Sequence, residues 1–151
     1  ASATYSNGVT FSGGNMVVPD AVSGWTVTIS TTSDTLDEAN ETATLTVGGT
    51  AGTLTITDDD AAPTITGTAS STVTAGDPVV ITYSPGLSGQ TRTYTLALTD
   101  GTAVGGTDYD NTTVTGDFAV TAGTGSVSIS GSTVTVDPGV TEFTLTITTT
   151  A

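Results

Sequence analysis

The chain has 151 residues, with fifteen acidic residues against a single Lys or Arg and a formal net charge of −14. This charge excludes electrostatic binding of nucleic acid, argues against an anionic membrane surface, and suits an extracellular protein loaded with cations. The chain has no cysteine, which excludes disulfides and thiolate chemistry, and no histidine, the commonest general base and transition-metal ligand. No apolar run is long enough to span a membrane, and the first residues lack the pattern of a signal peptide.

The first thirty residues predict three short strands, in which apolar and polar side chains alternate around Val9–Phe11, Met16–Val18 and Trp25–Ile29. Gly13–Gly14 and Pro19–Asp20 lie between them and are typical of turns. No window has helical spacing, and the abundance of Thr, Val and Gly disfavours helix. We therefore expect an all-β protein. A core position is the favoured interpretation of Trp25, and a platform for stacking sugars is the alternative.

Residues 42–57 predict a β-hairpin. Side chains change face at every residue of a strand, so Ala43, Leu45 and Val47 share one face and the intervening threonines the other. After Gly48–Gly49 the alternation resumes with Leu54 and Ile56. The pattern predicts two strands with one buried face and one wet, threonine-rich face.

Acidic residues flank this hairpin on both sides, so that seven of the fifteen lie between residues 34 and 60. If the turn brings the hairpin's two ends together, both acidic groups meet at one pole. Three consecutive aspartates repel one another unless a cation neutralises them, and calcium takes six to eight oxygen ligands. We therefore predict a calcium site here, against the plainer alternative of a solvated acidic loop. The candidate ligands are Asp34, Glu38, Glu41, Asp58, Asp59 and Asp60, and Asp37 lies among them.

A stiff junction at Ala61–Pro63 predicts a domain boundary after residue 60, because proline restricts both its own backbone and that of the preceding residue. Beyond it the alternation predicts further short strands. A glycine-rich segment, residues 100–116, predicts an irregular loop that carries Asp100, Asp108 and Asp110. The expected strands lie around Ile65, Val73, Val79–Tyr83, Tyr94–Leu98, Phe118–Val120, Val127–Ile129, Val134–Val136 and Phe143–Ile147.

An internal repeat links the two parts of the chain. Residues 7–32 align without a gap with residues 125–150, so that every matched pair, such as Val9 and Val127 or Trp25 and Phe143, is 118 residues apart. One period is about the length of a domain. We interpret residues 1–60 as the C-terminal half of one repeat, and residues 61–151 as the N-terminal part of the next, cut from a tandem array.

Three motifs resemble those of one family. DTLDEANE at residues 34–41, TITDDD at 55–60 and DGTAVGGTDY at 100–109 are similar to signatures of Calx-β domains. The resemblance implies an immunoglobulin-like antiparallel β-sandwich that binds Ca²⁺ at one end, and it adds Asp100 and Asp108 to the candidate ligands. The family usually has a glutamate where TVTAGD has Ala75, so at least one calcium position is expected to be weakened.

The threonine-rich, lysine-poor style is similar to tandem repeats of large bacterial RTX-type surface adhesins, which act in cell adhesion and biofilms. The resemblance implies a secreted, calcium-rigidified spacer, or extender, at the cell surface, with neighbouring repeats as partners. An adhesive or ligand-binding module is the alternative. Calcium sensing is a third possibility, and ice binding is less favoured because outward threonines are ordinary on strands. We expect no enzyme, since no nucleophile has a recognisable base.

Residues 61–150 would lack the last two strands of their repeat, which leaves an apolar seam and unpaired strand edges. The hairpin either stays with residues 1–32 or completes this second part. Completion within one chain requires a sharp reversal at Ala61–Pro63. We therefore expect head-to-tail association of chains by strand complementation, which would also bring Asp108 to Glu38, Glu41 and the 58–60 aspartates.

Overall fold

A computed structural model describes residues 3–69, 72–110 and 118–151, and the predicted loop residues 111–116 lie outside the described ranges. Every ladder between the described strands is antiparallel, which confirms the prediction of an all-β protein. None of the described residues belongs to a helix that could cross a bilayer. The strands are β1 (Ala3–Tyr5), β2 (Thr10–Ser12), β3 (Asn15–Val17), β4 (Val27–Ile29), β5 (Glu41–Val47), β6 (Thr50–Ile56), β7 (Thr66–Ala69), β8 (Val79–Ser84), β9 (Arg92–Thr95), β10 (Phe118–Gly123), β11 (Val127–Ser130), β12 (Thr133–Val136) and β13 (Val140–Ile147).

The structure differs from the predicted strands at three places. Strand β1 was not predicted, and no strand of the described residues includes Val73. Strand β9 ends at Thr95, so the prediction that Leu98 points inward is wrong, and its side chain is 40% exposed. The ladder between β9 and β12 ends where β12 begins, at the pair Thr95–Thr133. Beyond that pair the chain has no strand to follow and enters the loop.

Contacts between residues divide the chain into two compact units. Unit 1 comprises Ala1–Thr35 with Asn40–Asp58, and unit 2 comprises Leu36–Ala39 with Asp59–Ala151. The short segment Leu36–Ala39 thus belongs to the second unit although it lies between two parts of the first. The assignment of residues 1–60 and 61–151 to successive repeats rests on the internal sequence repeat, and it stays a prediction.

Unit 2 contains two sheets that share one core. One has the strand order β10-β13-β8-β7 and the other β11-β12-β9. Val134 and Val136 of the second sheet form one buried cluster with Val140 and Phe143 of the first. The ring of Tyr83 stacks on that of Phe143, with 5.3 Å between centroids. Two antiparallel sheets with side chains interleaved between them give unit 2 a sandwich-like architecture.

The described part of unit 1 has no comparable core. Its described strands form three separate pairs, β1-β4, β2-β3 and β5-β6. Val9 is the buried hydrophobic residue of its described part, whereas Trp25, Leu45 and Phe11 remain 36%, 38% and 55% exposed. The predicted β5–β6 hairpin is confirmed, but the prediction that one of its faces is buried is wrong. Two-stranded sheets have too few neighbours to cover an apolar face.

The two copies of the repeat explain this difference between the units. The β2–β3 pair has the same register as β11–β12, since Phe11 faces Met16 where their copies Ile129 and Val134 also face each other. Strand β13 lies between β10 and β8, whereas its copy β4 pairs only with β1 among the described strands. Trp25 is therefore not a buried anchor in unit 1, although its copy Phe143 is only 2% exposed.

A reciprocal pair of substitutions tests whether the copies share a backbone. Ala21 has φ 66°, a conformation that strains a residue with a side chain, and its copy Gly139 has φ 84°. We expect Ala21→Gly to stabilise unit 1 by about 0.5–1 kcal/mol. Gly139→Ala should destabilise unit 2 by about 1–3 kcal/mol, because the new Cβ would also clash with Thr124 Oγ1.

Urea unfolding measures both effects, with Trp25 fluorescence reporting unit 1 and far-UV circular dichroism the whole chain. Gly101→Ala is the control, because its Cβ would meet nothing within 4 Å. A destabilised Ala21→Gly variant, or Gly139→Ala unfolding like the control, would contradict the prediction.

Candidate functional site

Three of the eight predicted calcium ligands lie in unit 1. Asp34 is exposed between β4 and β5, Glu41 begins β5, and Asp58 follows β6 and is half-buried. Glu41 pairs with Ile56, and the Oδ1 atom of Asn40 accepts a hydrogen bond from the Asp58 N–H at 3.0 Å. The turn therefore brings the two ends of the hairpin together, as its sequence pattern predicted.

The other five predicted ligands lie at two ends of unit 2. Glu38 is docked beside residues 85–90, and Asp59 and Asp60 lead into Pro63 at the same end. Asp100 and Asp108 belong to the loop that bridges Thr149, beyond the opposite end of β13. The eight residues of β13 separate the two ends by roughly 25 Å at about 3.3 Å per residue. Asp108 thus does not meet Glu38, Asp59 or Asp60 within this unit, and their meeting through another chain stays a prediction.

No three acidic side chains within residues 3–69, 72–110 and 118–151 come close enough together to hold a metal ion. The calcium site therefore stays a prediction. The available donors are nevertheless all oxygen atoms, because the sequence contains neither histidine nor cysteine. Such a donor set suits a hard cation, Ca²⁺ or Mg²⁺, and not a transition metal.

One acidic residue that the sequence analysis did not select holds a central position. The side chain of Asp37 is 6% exposed, and it accepts hydrogen bonds from Ser88 Oγ at 2.5 Å and Gln90 Nε2 at 3.0 Å. Its carbonyl oxygen accepts the Gly89 N–H at 2.8 Å, and Gln90 Nε2 also donates to the Glu38 carbonyl at 2.9 Å. We call this set of contacts the Asp37 anchor. It fixes residues 36–39 on the loop between β8 and β9.

The chain's one cationic side chain lies beside this anchor. The guanidinium of Arg92 donates to the carbonyl oxygens of Pro63 at 3.3 Å, Pro85 at 2.5 Å and Gly86 at 2.6 Å. The same loop is joined to the start of β13, because Gly139 N–H donates to the Ser88 carbonyl at 3.0 Å. Arg92 therefore holds the segment after the acidic run against the loop that the Asp37 anchor uses.

At the opposite end of unit 2, the acidic side chains close a loop. Asp100 Oδ1 accepts hydrogen bonds from the Gly105 N–H at 3.0 Å and from the Tyr109 hydroxyl. Asp108 Oδ2 accepts the Val104 N–H at 2.8 Å. The Tyr109 bond, followed by the Gly105 bond, lowers the pKa of Asp100, and the Asp100 carboxylate raises the pKa of Tyr109. Both acids thus have a turn-forming role here.

Comparison of the chain with known protein families, with curated proteins and with solved structures found no match. The resemblance carried by residues 34–60 and 100–109 therefore stays a prediction from motifs. Function is argued below from the contacts at the two ends of unit 2.

The Asp37 anchor is tested by removing its carboxylate. Asp37→Ala removes the carboxylate that accepts from the buried Ser88 hydroxyl and from the Gln90 amide, and we expect a loss of about 2–4 kcal/mol in the free energy of unfolding. The measurement is urea unfolding in a metal chelator. Asp59→Ala is the matched control, an exposed aspartate in the same unit, and should change the free energy by less than about 0.5 kcal/mol. Equal effects of the two substitutions would contradict the anchor.

The Asp100–Tyr109 bond predicts a pH window for the loop. Because the pKa of Asp100 is lowered, the stability it contributes is present above the usual value of about 4 and is lost as the pH falls through the lowered pKa. Because the pKa of Tyr109 is raised, its contribution is complete below about 10 and is lost as the pH rises through the raised pKa.

Ultraviolet titration of tyrosinate checks the alkaline side. Asp100→Asn should move the titration of Tyr109 to lower pH, and Tyr109→Phe should remove that component from the wild-type curve. Asp77→Asn serves as a control, because its carboxylate is not the acceptor of the Tyr109 hydroxyl. An unchanged titration in Asp100→Asn would show that the bond does not form in solution.

Proposed function

We propose that this chain is a calcium-binding spacer segment from an array of Calx-β-like sandwich domains in a bacterial surface adhesin. The observation that supports the proposal is that two chain segments are held at one end of unit 2. There, the Asp37 anchor holds residues 36–39, and Arg92 with Gly86 holds Pro63. Both segments lie near the domain boundary that the sequence predicts after residue 60.

Chain segments that are held in place at the end of a domain suit a mechanical role. A Cβ atom added at Gly86 would lie 2.6 Å from the Cβ of Pro63, so the linker proline already packs closely on the loop. Proline restricts its own backbone and that of Ala62. Only Asp59–Ala62 remains between the end of the hairpin and this held proline. A junction this short resists bending, which is what a spacer requires.

Calcium would act on the acidic side chains that lie near the junction. The acid-rich segment at residues 34–60 contains no Lys or Arg. The guanidinium of Arg92 donates its hydrogen bonds to carbonyl oxygens. Glu38, Asp59 and Asp60 are the residues of unit 2 that would hold the ion, and Asp34, Glu41 and Asp58 those of unit 1. Bound calcium supplies the positive charge that lets neighbouring carboxylates approach one another.

A cleft in unit 1 favours the alternative function, that of a ligand-binding module. It has a volume of about 740 Å³ and is lined by Trp25, Val27, Ile29 and the apolar face of the hairpin. The copies of the first two, Phe143 and Leu145, are buried in unit 2 beneath neighbouring strands. The cleft is thus the space where unit 1 lacks strands, and we favour the spacer.

Calorimetry tests the calcium part of the proposal. We expect the melting temperature to rise from chelator to millimolar calcium, since a ligand at a hundredfold its Kd adds about 2.7 kcal/mol per site. The double substitution of Asp59 and Asp60 by Asn should reduce this rise, and Asp77→Asn, an exposed acid outside the junction, should not. An unchanged wild-type melting temperature would contradict calcium binding.

Small-angle scattering of the same samples tests the spacer part. Calcium should lengthen the particle and narrow its conformational spread, because an ion bound by the acids at the junction would restrict bending of the Asp59–Ala62 segment. Identical scattering profiles, together with a raised melting temperature, would leave calcium binding in place and remove the stiffening role.

A further inference from the structure

The chain enters the four-stranded sheet of unit 2 at one end and leaves it at the other. Strand β7 follows shortly after Pro63, and its first pair joins Thr66 to Ser84, the last residue of β8. At the opposite end, the pair Val79–Ile147 joins the first residue of β8 to the last residue of β13. Because β8 runs antiparallel to both neighbours, β7 and β13 run parallel to each other.

The end at which the chain enters is held at two places. Arg92 donates to the Pro63 carbonyl just before β7, and the Asp37 anchor fixes residues 36–39 on the loop that follows β8. Tension from the preceding part of the chain therefore reaches the sheet at the start of β7 or at the end of β8. The pair Thr66–Ser84 shows that both points lie at the same end.

The end at which the chain leaves is held as well. The Thr150 N–H donates to the Asp108 carbonyl at 2.9 Å, and Thr149 Oγ1 donates to the Asp77 carbonyl at 2.7 Å. Thr149 also forms an antiparallel bridge with Tyr109. Residues 148–150 thus continue the pairing of β13 beyond its last residue, and tension leaves the sheet through β13.

This arrangement decides how a force acts on the hydrogen bonds. In an antiparallel ladder the bonds are perpendicular to the strands. A force that slides two strands past each other loads all these bonds together, whereas a force that separates the strands at one end loads one pair at a time. Tension between the two ends of the sheet slides β7 against β8, which have four pairs, and β8 against β13, which have five.

One side chain of β8 adds resistance to sliding. Tyr83 pairs with Gly67 of β7 on one side and with Phe143 of β13 on the other. A Cβ atom added at Gly67 would lie 2.9 Å from the Tyr83 ring, and that ring stacks on the ring of Phe143 with 5.3 Å between centroids. The ring therefore packs on both neighbouring strands, and sliding either ladder must displace it.

We propose that unit 2 withstands tension along the chain because its β7–β8 and β8–β13 ladders are loaded in shear. The inference rests on the proposed spacer function for its purpose, since a spacer at a cell surface transmits force. The geometry that produces the resistance does not involve calcium. The experiments are therefore performed in a chelator, where a failure of calcium binding leaves the result unaffected.

Single-molecule force measurements on the full chain test the inference. The sequence has no cysteine, so a pair of introduced cysteines defines where the force is applied. Leu87→Cys with Ala151→Cys pulls the end of β8 against the end of β13 and loads their ladder in shear. Ala75→Cys with Ala151→Cys pulls the start of β8 instead, so that the same ladder opens one pair at a time. All three positions are exposed.

We expect the unfolding force at one pulling speed to be at least about twofold higher for the Leu87–Ala151 attachment than for Ala75–Ala151, because several hydrogen bonds must break together. Ala62→Cys with Ala151→Cys applies the force through the segment before Pro63, and it should also exceed Ala75–Ala151. Urea unfolding of the untethered variants is the control, and its midpoint should be the same for all three. Thr74→Cys, also exposed, replaces Ala75→Cys if that variant does not fold.

Equal unfolding forces in the two β8 attachments would overturn the inference, and so would a higher force for Ala75–Ala151. An Ala62–Ala151 force no higher than that of Ala75–Ala151 would also overturn it, since the natural entry point would then not be loaded in shear. Calorimetry and scattering in calcium separate this outcome from the proposed function. Calcium effects with equal forces would remove only the shear inference, and unequal forces without any calcium effect would remove only calcium binding.

Discussion

Phe143 and Leu145 are buried because β13 has a strand on each side and a second sheet packed against its inner face. The architecture of unit 2 depends on this arrangement, since the same residues bring β8, β10 and β12 around one core. Trp25 and Ile29 have the same alternation in unit 1, yet they stay 36% and 37% exposed, and β4 pairs with β1 alone among the described strands. The alternating apolar side chains of a strand specify which of its faces turns inward. Whether that face is buried depends on the neighbouring strands.

Local alternation made most strands predictable from the sequence, because a period of two identifies a strand without any knowledge of its partners. The hairpin was predictable for a second reason. Gly48 and Gly49 adopt φ values of 58° and 82°, which a two-residue turn requires and which glycine permits. Strand neighbours were not predictable, because the pairing of β9 with β12 joins segments about forty residues apart with no local signal. For the same reason Leu98 was expected inside.

The candidate site shows the same limit. Its acids were visible in the sequence, but their roles were not, because a carboxylate is stabilised equally well by donors from its own chain and by a cation. Asp37 finds its donors on Ser88 and Gln90, more than fifty residues away, and Asp100 finds one on Tyr109. The number of clustered acids is therefore larger than the number that need a metal. Asp59, which is exposed in unit 2, is the acid on which the calcium proposal depends most.

The spacer role and the head-to-tail association predicted from the sequence make opposite demands on one surface. On the repeat interpretation, a unit in a continuous array receives its hairpin from its own repeat, so the strand equivalent to β9 can have a partner on each side. The described part of residues 59–151 does not include such a hairpin, and among the described strands β9 pairs only with β12. Completion by a second chain then uses the contacts that completion within the array would use. Because one edge accepts one strand, a unit already completed by its own repeat cannot also capture another chain.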